Sequence, residues 1–198
     1  MRIPEEIPLH TNASYCLKCL KIGVSRTISD GKTYYRCEAC GAVLDRRLVI
    51  DDRIVWWLAE DRTYWHESVG VVVICEGKIL CMMRQIFPFA FTIPAGHLDT
   101  GEEPEIAAGR ELFEETGISV EYPLEHLGDF DISGDSCRRG SDDHRWHLYR
   151  YRLEVLPEIK LDDESSKSVW VNLDELRSLD PVTYPLSVII GRYGADLF

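Results

Sequence analysis

Several glutamates lie at fixed spacing between Gly96 and Ile118, where the chain reads GHLDTGEEPEIAAGRELFEETGI. Pro104 suits the first turn of a helix and Gly117 suits a helix end, so a helix is predicted between them. At about 100° per residue, three carboxylates share one arc of this helix: Glu111, Glu114 and Glu115. Grouped carboxylate oxygens are ligands that Mg²⁺ and Mn²⁺ prefer, so the arc predicts a metal site suited to phosphate chemistry.

The other residues of this helix are expected to hold it against a core. Ile106, Ala108, Leu112 and Phe113 fall on the opposing arc and are predicted to be its buried stripe. Like charges at three- and four-residue spacing repel, and Arg110 is placed to relieve that repulsion. A solvated, glutamate-rich surface helix is the alternative interpretation that involves no chemistry.

The spacing of the segment is a glycine, five residues, a glutamate, seven residues, and then R-E-L-x-E-E-x-G-I. This pattern resembles the Nudix box, whose family hydrolyses a nucleoside diphosphate linked to another moiety with a divalent metal. The resemblance implies that the metal ligands are Glu111, Glu114 and Glu115, with the Gly96 carbonyl as a further ligand. It also implies that Arg110 orients the glutamates by ion pairing.

The resemblance also suggests the acids that complete the site. Glu102 is the first glutamate of the box, where it binds a further metal through water or serves structurally. Glu164 stands six residues before Trp170, as an additional catalytic carboxylate does in some members of the family. Water would attack phosphorus, and Glu114 or Glu164 would accept the proton. An ordinary acidic turn is the other interpretation of Glu164.

A second cluster with chemical potential consists of two CxxC pairs separated by 17 residues. The four cysteines are Cys16, Cys19, Cys37 and Cys40. This spacing fits a tetrahedral Cys₄ zinc site, and four protein ligands make such a zinc structural. The segment resembles a zinc ribbon, with Ser25–Ser29 and Thr33–Arg36 predicted to be strands around an Asp30-Gly31 turn. Two structural disulfides are the alternative.

The chain is predicted to divide into residues 1–62, the ribbon and a connector, and residues 63–198, the catalytic domain. Strands surrounding one central amphipathic helix predict an α/β fold. The Nudix resemblance implies an α/β/α sandwich with a mixed sheet, preceded by the small β zinc ribbon. Cys75 and Cys81 are interpreted as small core residues, and Cys137 as a free thiol in a polar loop.

Substrate-binding residues are expected outside the box. Phe91 could stack a base, and Arg138 and Arg139 could hold a distal phosphate or ribose. Core packing for Phe91 and solvation for the two arginines are the alternatives. His144 and His147 lack a third ligand in the sequence and are interpreted as surface or pocket-rim groups.

Composition sets limits on the partners. The net charge of −12 disfavours nucleic acid as the main partner, although it allows a small nucleotide. No signal peptide or membrane span is predicted, so a cytoplasmic location without a membrane partner is expected. A homodimer is left open.

The predicted function is metal-dependent hydrolysis of the pyrophosphate bond of a nucleoside diphosphate derivative, of the ADP-ribose, nucleotide-sugar or dinucleotide type, to monophosphates. A zinc ribbon before a Nudix domain also resembles the NADH pyrophosphatases, but their SQPWPFPxS-type array is absent between Val120 and Leu156. NADH or nucleoside triphosphate pyrophosphatase activity is therefore an alternative. A non-catalytic nucleotide-sensing regulator and a zinc-ribbon interaction module are alternatives of other classes.

Overall fold

The computed structural model describes residues 1–198, with thirteen strands and three α-helices. The N-terminal strands are β1 (Ala13–Tyr15), β2 (Val24–Ser29), β3 (Lys32–Cys37), β4 (Val43–Leu44) and β5 (Leu48–Ile50). The later strands are β6 (Trp56–Leu58), β7 (Tyr64–Cys75), β8 (Lys78–Arg84), β9 (Phe91–Thr92), β10 (Ala95–His97), β11 (Glu125–Ser133), β12 (Asp143–Leu153) and β13 (Ser165–Val171). The helices are α1 (Pro104–Thr116), α2 (Leu173–Ser178) and α3 (Tyr184–Tyr193).

Eight strands form one mixed sheet with the order β11-β12-β7-β8-β13, in which β6 and β10 also pair with β7 and β9 pairs with β8. The long β7–β12 pairing is parallel, and the other pairings are antiparallel. The N-terminal strands form a three-stranded sheet, β2-β3-β4, and a two-stranded sheet, β1-β5.

The main sheet is covered by helices on both faces because its central strand is apolar on both sides. Val69, Val71 and Val73 of β7 pack with α1, whereas Val72 and Ile74 pack with α2 and α3. This alternation follows the two-residue period of a strand. The predicted α/β/α sandwich with a mixed sheet is confirmed.

Helix α1 begins and ends where the sequence predicted, with Pro104 in its first turn and Gly117 at φ 75° as its left-handed C-terminal residue. Its buried face is different from the predicted stripe. Ile106 and Phe113 are 64% and 55% exposed, while Ala107 and Glu115 are buried. Small alanines bring α1 close to the sheet, and the buried face therefore rotates toward the acidic arc.

Prolines limit two of the strands. β11 begins at Glu125, after Pro123. β9 is short and lies between Pro88 and Pro94. Proline has no N–H to donate to a sheet, so pairing stops near it.

The two-stranded N-terminal sheet packs on the main sheet through a third core. The predicted β2–β3 hairpin forms with Asp30 and Gly31 at its turn. Tyr64 of β7 lies in the same cluster as Tyr15, Leu48 and Ile50. Strand β6, predicted to belong to a connector, pairs with β7 and so is part of the main sheet. None of the helices is both long enough and apolar enough to cross a lipid bilayer.

Candidate active site

The carboxylate of Glu111 lies directly against Gly96. Gly96 is in β10, where it pairs with Val69, and α1 passes beneath it. A Cβ atom built on Gly96 would lie 2.0 Å from Cδ of Glu111, a distance that no side chain could tolerate. The glycine is therefore required for Glu111 to reach the strand, and it brings the Gly96 backbone and this carboxylate together.

Arg110 holds the acidic arc in place. Its guanidinium donates to both oxygens of Glu102, at 3.0 and 2.8 Å, and to the carbonyl of His97 at 3.3 Å. It also donates to Glu111 at 2.7 Å and to Glu114 at 3.3 Å. The Glu102 hydrogen bonds are the largest cause of the raised pKa of Arg110. Arg110 thus occupies the orienting position that the sequence predicted.

A further acidic group forms where α1 meets the turn before β13. One carboxylate oxygen from each of Glu115, Asp162 and Glu164 lies within 4.8 Å of the others. Glu115 is only 7% exposed and accepts a 2.8 Å hydrogen bond from the N–H of Ala95. Asp162 was not singled out from the sequence; its position two residues from Glu164 was the available signal.

Burial makes the carboxylates of α1 favour a bound cation. It raises the pKa of Glu115 well above the ordinary range, and it also raises the pKa of Glu111, where Arg110 acts in the opposite direction. The cause in both cases is desolvation of the charged form. A divalent cation would restore the ionised form by direct coordination.

Two arginines face these acids across the cleft. Arg138 pairs with Glu164 at 2.7 Å. Arg84, at the end of β8, also lines the cleft, and its Nε is buried without a hydrogen-bond partner. From the sequence, Arg84 was noted only as a weak family cue. A guanidinium with unused donors suits a phosphate or carboxylate group.

Arg139 is held differently from Arg138. It also lines the cleft, but its guanidinium forms an ion pair with the buried carboxylate of Asp51. The backbone around both arginines is fixed by the N-terminal part of the chain. Arg47 N–H donates to the Arg138 carbonyl at 3.1 Å, and Val49 N–H donates to the Arg139 carbonyl at 2.9 Å.

The structure does not place Phe91 where it could stack a base. Phe91 is 5% exposed, belongs to the core between the sheet and α3, and does not line the cleft. The core interpretation is the one that the structure supports.

Of the two interpretations of His144, the structure agrees with the pocket group and not with the surface group. His144 is 2% exposed and lines the cleft, and His66 and His97 lie beside it. His147 hydrogen-bonds Glu67 at 2.7 Å and Asp129 at 2.8 Å, away from that group. The sequence could not show this because the three histidines come from three different strands.

The four ribbon cysteines form a single cluster. The Sγ atoms of Cys16 and Cys40 are 3.8 Å apart, and those of Cys19 and Cys37 are 3.6 Å apart. A tetrahedral ZnS₄ centre places its sulfurs about 3.8 Å apart, whereas a disulfide needs about 2 Å. All four are free thiols, which removes the disulfide alternative. Gly41 follows at φ 71°, the conformation expected after the second CxxC pair.

A helix carrying clustered glutamates beneath a glycine-containing strand, within an α/β/α sandwich, defines a class of metal-binding phosphate-processing proteins. The chain belongs to the Nudix family, since the NUDIX domain model matches residues 65–188.

Individual relatives cover less of the chain. It is 38% identical over an alignment of 104 residues to an RNA pyrophosphohydrolase of Cereibacter sphaeroides. The match covers 44% of this chain and 62% of that protein. It is 47% identical over 57 residues to phosphatase NudJ of Escherichia coli, covering 28% of this chain and 37% of that protein. The chain therefore spans less than two thirds of the length of these relatives.

A solved structure supports the fold. The NUDIX domain of Shewanella oneidensis NrtR, complexed with ADP ribose, superposes with a TM-score of 0.57 at 20% identity. The match covers 68% of this chain and 89% of that one.

Proposed function

We propose that this protein hydrolyses the pyrophosphate bond of a nucleoside diphosphate derivative to two monophosphates, using Mg²⁺ or Mn²⁺. One observation carries the proposal: the cleft collects the carboxylates of Glu111, Glu115 and Glu164 opposite Arg84 and Arg138. Acids that bind a cation and arginines that bind phosphate oxygens are the two halves of a pyrophosphate site.

The residues present fit the divalent metal that the family uses. All candidate ligands are hard oxygens, from Glu111, Glu114, Glu115 and the Gly96 carbonyl, and Mg²⁺ selects such ligands. The absence of a Cβ at Gly96 lets the Glu111 carboxylate lie against the backbone of β10. When bound, the ion supplies positive charge that offsets the charge of the pyrophosphate group.

The chain's own groups supply orientation and a proton acceptor. Arg110 hydrogen-bonds Glu102 and Glu111 and so orients their carboxylates. Glu114 is more exposed than its neighbours and receives only one 3.3 Å hydrogen bond from Arg110. Glu114 and Glu164 are the candidates for accepting the proton of the attacking water.

The substrate class follows from what lies beyond the acids. A divalent cation held by the carboxylate cluster would contact the pyrophosphate that all candidate substrates share, so discrimination falls to groups such as Arg138 and Arg84. Two arginines suit a substrate with a second anionic or polar arm, such as the terminal ribose or sugar of ADP-ribose or a nucleotide sugar. The similar NrtR domain was solved with ADP ribose.

The cysteine cluster is proposed to hold one structural Zn²⁺. Four thiolates at tetrahedral spacing close the coordination shell, so this ion has no position for a substrate. Its contribution is to fold the ribbon, whose neighbouring residues Arg47 and Val49 hold the Arg138–Arg139 backbone.

A product assay tests the proposed function. The protein would be incubated with Mg²⁺ and, separately, with ADP-ribose, a nucleotide sugar, a dinucleoside polyphosphate, NADH, ATP and a 5′-triphosphorylated RNA, and the products would be separated by ion-exchange chromatography. We expect AMP and ribose 5-phosphate from ADP-ribose, with loss of turnover on chelation.

Two results would contradict the proposal. Nucleoside monophosphate and free pyrophosphate from triphosphates alone would assign a triphosphate pyrophosphatase instead. Stoichiometric binding of ADP-ribose with no product from any compound would assign a nucleotide-sensing regulator.

A further inference from the structure

Three histidines and one cysteine form a buried group at the side of the cleft. His66 is in β7, His97 in β10 and His144 in β12, and Cys137 is in the loop between β11 and β12. The strands are neighbours in the sheet: His144 pairs with His66, and His97 pairs with Ser68, two residues from His66. Because residues two apart in a strand share a face, the three imidazoles point to the same side.

The distances within this His₃Cys cluster match those of a metal centre. Nδ1 of His66 lies 3.1 Å from Nε2 of His97 and 3.6 Å from Sγ of Cys137. In tetrahedral zinc geometry, two nitrogens are about 3.3 Å apart and a nitrogen and a sulfur about 3.6 Å apart. One ligand atom from each of the four residues lies within 4.8 Å of the others.

Asp135 lies behind one of these histidines. Nδ1 of His144 is 3.2 Å from Oδ2 of Asp135, which also accepts from Trp146 Nε1 at 2.8 Å. A carboxylate on the other ring nitrogen is the usual arrangement around a metal-ligating imidazole, so Asp135 suits a cation bound by His144.

The local charges also suit a cation. The carboxylate of Asp135 is buried and lies beside His144. A dication with a Cys137 thiolate would keep one positive charge, and the buried carboxylate of Asp135 would balance it.

We propose that His66, His97, Cys137 and His144 form a second transition-metal site, which takes Zn²⁺, separate from both the ribbon cysteines and the glutamate cluster. Imidazole and thiolate are ligands that zinc accepts, whereas Mg²⁺ does not select them. The ion would fasten the 134–142 loop to the sheet through Cys137. It would thereby fix the neighbouring Arg138 at the edge of the cleft, independently of the reaction that takes place there.

Zinc stoichiometry of the full-length protein tests this site. The protein would be dialysed against Zn²⁺ with excess Mg²⁺, so that the glutamate cluster carries Mg²⁺, and bound zinc would be counted by mass spectrometry. We expect two equivalents for the wild type and one for Cys137→Ser or His144→Gln. His147→Gln is the matched control, because His147 is in the same strand but outside the cluster, and it should retain two.

Zinc-edge X-ray absorption gives a second readout that does not depend on activity. The wild type should show imidazole nitrogen as well as sulfur ligation, and the nitrogen contribution should disappear in Cys137→Ser, a one-atom change in a loop that should leave the fold intact. One equivalent of zinc and a sulfur-only signal in the wild type would overturn the proposal, whatever the variants do. Such a result would leave the proposed hydrolysis unaffected.

Discussion

Glu114 differs from the other acids of α1 in its surroundings. Glu111 lies against Gly96 and Glu115 is buried under Ala95, whereas Glu114 is 56% exposed on its side chain. It contributes little to packing, so its charge can be removed with little effect on stability. This makes it the most informative single position for testing the chemistry of the cleft.

Glu114→Gln is expected to fold normally and to lose at least ~10²-fold in metal-dependent turnover, the scale expected for loss of acid–base or charge stabilisation. The rate of product formation and the thermal melting temperature would be measured together. Glu105→Gln is the same chemical change at an exposed position in the first turn of α1, and it should keep the wild-type rate and melting temperature. Undiminished hydrolysis in Glu114→Gln would show that Glu114 has no catalytic role.

The groups of site residues that the sequence brought together are those whose members lie close along the chain, whereas Arg138 and Glu164 were predicted only singly. Spacing alone gave the glutamates of α1, Arg110 and the four cysteines, because a helix and a ribbon bring near neighbours together. His66 and His144 meet only through the parallel pairing of two strands 78 residues apart. No local pattern encodes such a pairing, so the His₃Cys cluster could not be predicted.

Helix α1 shows how packing changes a prediction made from periodicity. The bounds of the helix follow from Pro104 and Gly117, and both were predictable. Its orientation depends on what lies opposite: the valines of β7 accept Ala107 and Ala108 closely, which turns Glu115 inward and Ile106 outward. A hydrophobic stripe calculated from one helix omits the shape of its partner.

Asp51, in the segment between β5 and β6, connects the N-terminal part of the chain to the 134–142 loop at the cleft. The carboxylate of Asp51 is buried and accepts hydrogen bonds from Arg53 at 2.9 Å and from Arg139. The Arg53 hydrogen bond is the largest cause that lowers the pKa of Asp51, from 3.8 to about 2, and Arg139 adds to it. Ionised Asp51 is therefore favoured in the folded state.

Because the pKa of Asp51 is lower in the folded state, its contribution to stability is present above about pH 4 and disappears as the pH falls toward 2. Asp51→Asn should lower the free energy of unfolding by about 2 kcal/mol at pH 7, the scale of a hydrogen bond to a charged group. Urea unfolding from pH 7 to pH 3 would measure this difference, which should narrow in acid.

Asp45→Asn is the control, since Asp45 takes no part in this ion pair. Its free energy of unfolding should stay close to that of the wild type from pH 7 to pH 3. If the free energies of unfolding of Asp51→Asn and the wild type differ by the same amount at every pH, packing and not charge makes position 51 important.

At the scale of the whole molecule, the ribbon and the cleft depend on each other. Arg46 donates to the Cys137 carbonyl at 2.9 Å, and Arg47 and Val49 hold the next two residues of the same loop. Gly140 is required there, because a Cβ atom would lie 2.9 Å from the Arg47 carbonyl. The sequence suggested a ribbon with a connector, but these contacts extend the N-terminal part to the rim of the cleft.

Cys16→Ser should remove the ribbon zinc and increase backbone hydrogen exchange in residues before about Asp51, because a Cys₄ segment is held together by its metal. The loop at 134–142 should also exchange faster, while α1 stays protected. Metal counting and hydrogen-exchange mass spectrometry would measure both effects. Cys75→Ala removes a buried cysteine outside both clusters and should leave the zinc content unchanged; equal zinc in Cys16→Ser and the wild type would rule out the ribbon site.

The strand order has a consequence for how the chain is made. β7 shares only two paired positions with β8, but eleven with β12, and 67 residues separate the end of β7 from the start of β12. At 5–20 residues per second, a ribosome needs roughly 3–13 s to synthesise that interval. During that time, one edge of the valine-rich strand β7 has no partner, and an unpaired strand edge is the arrangement most prone to pair with a neighbouring chain. The nascent protein is therefore most vulnerable to aggregation between the completion of β7 and the emergence of β12, when chaperones would have most to protect.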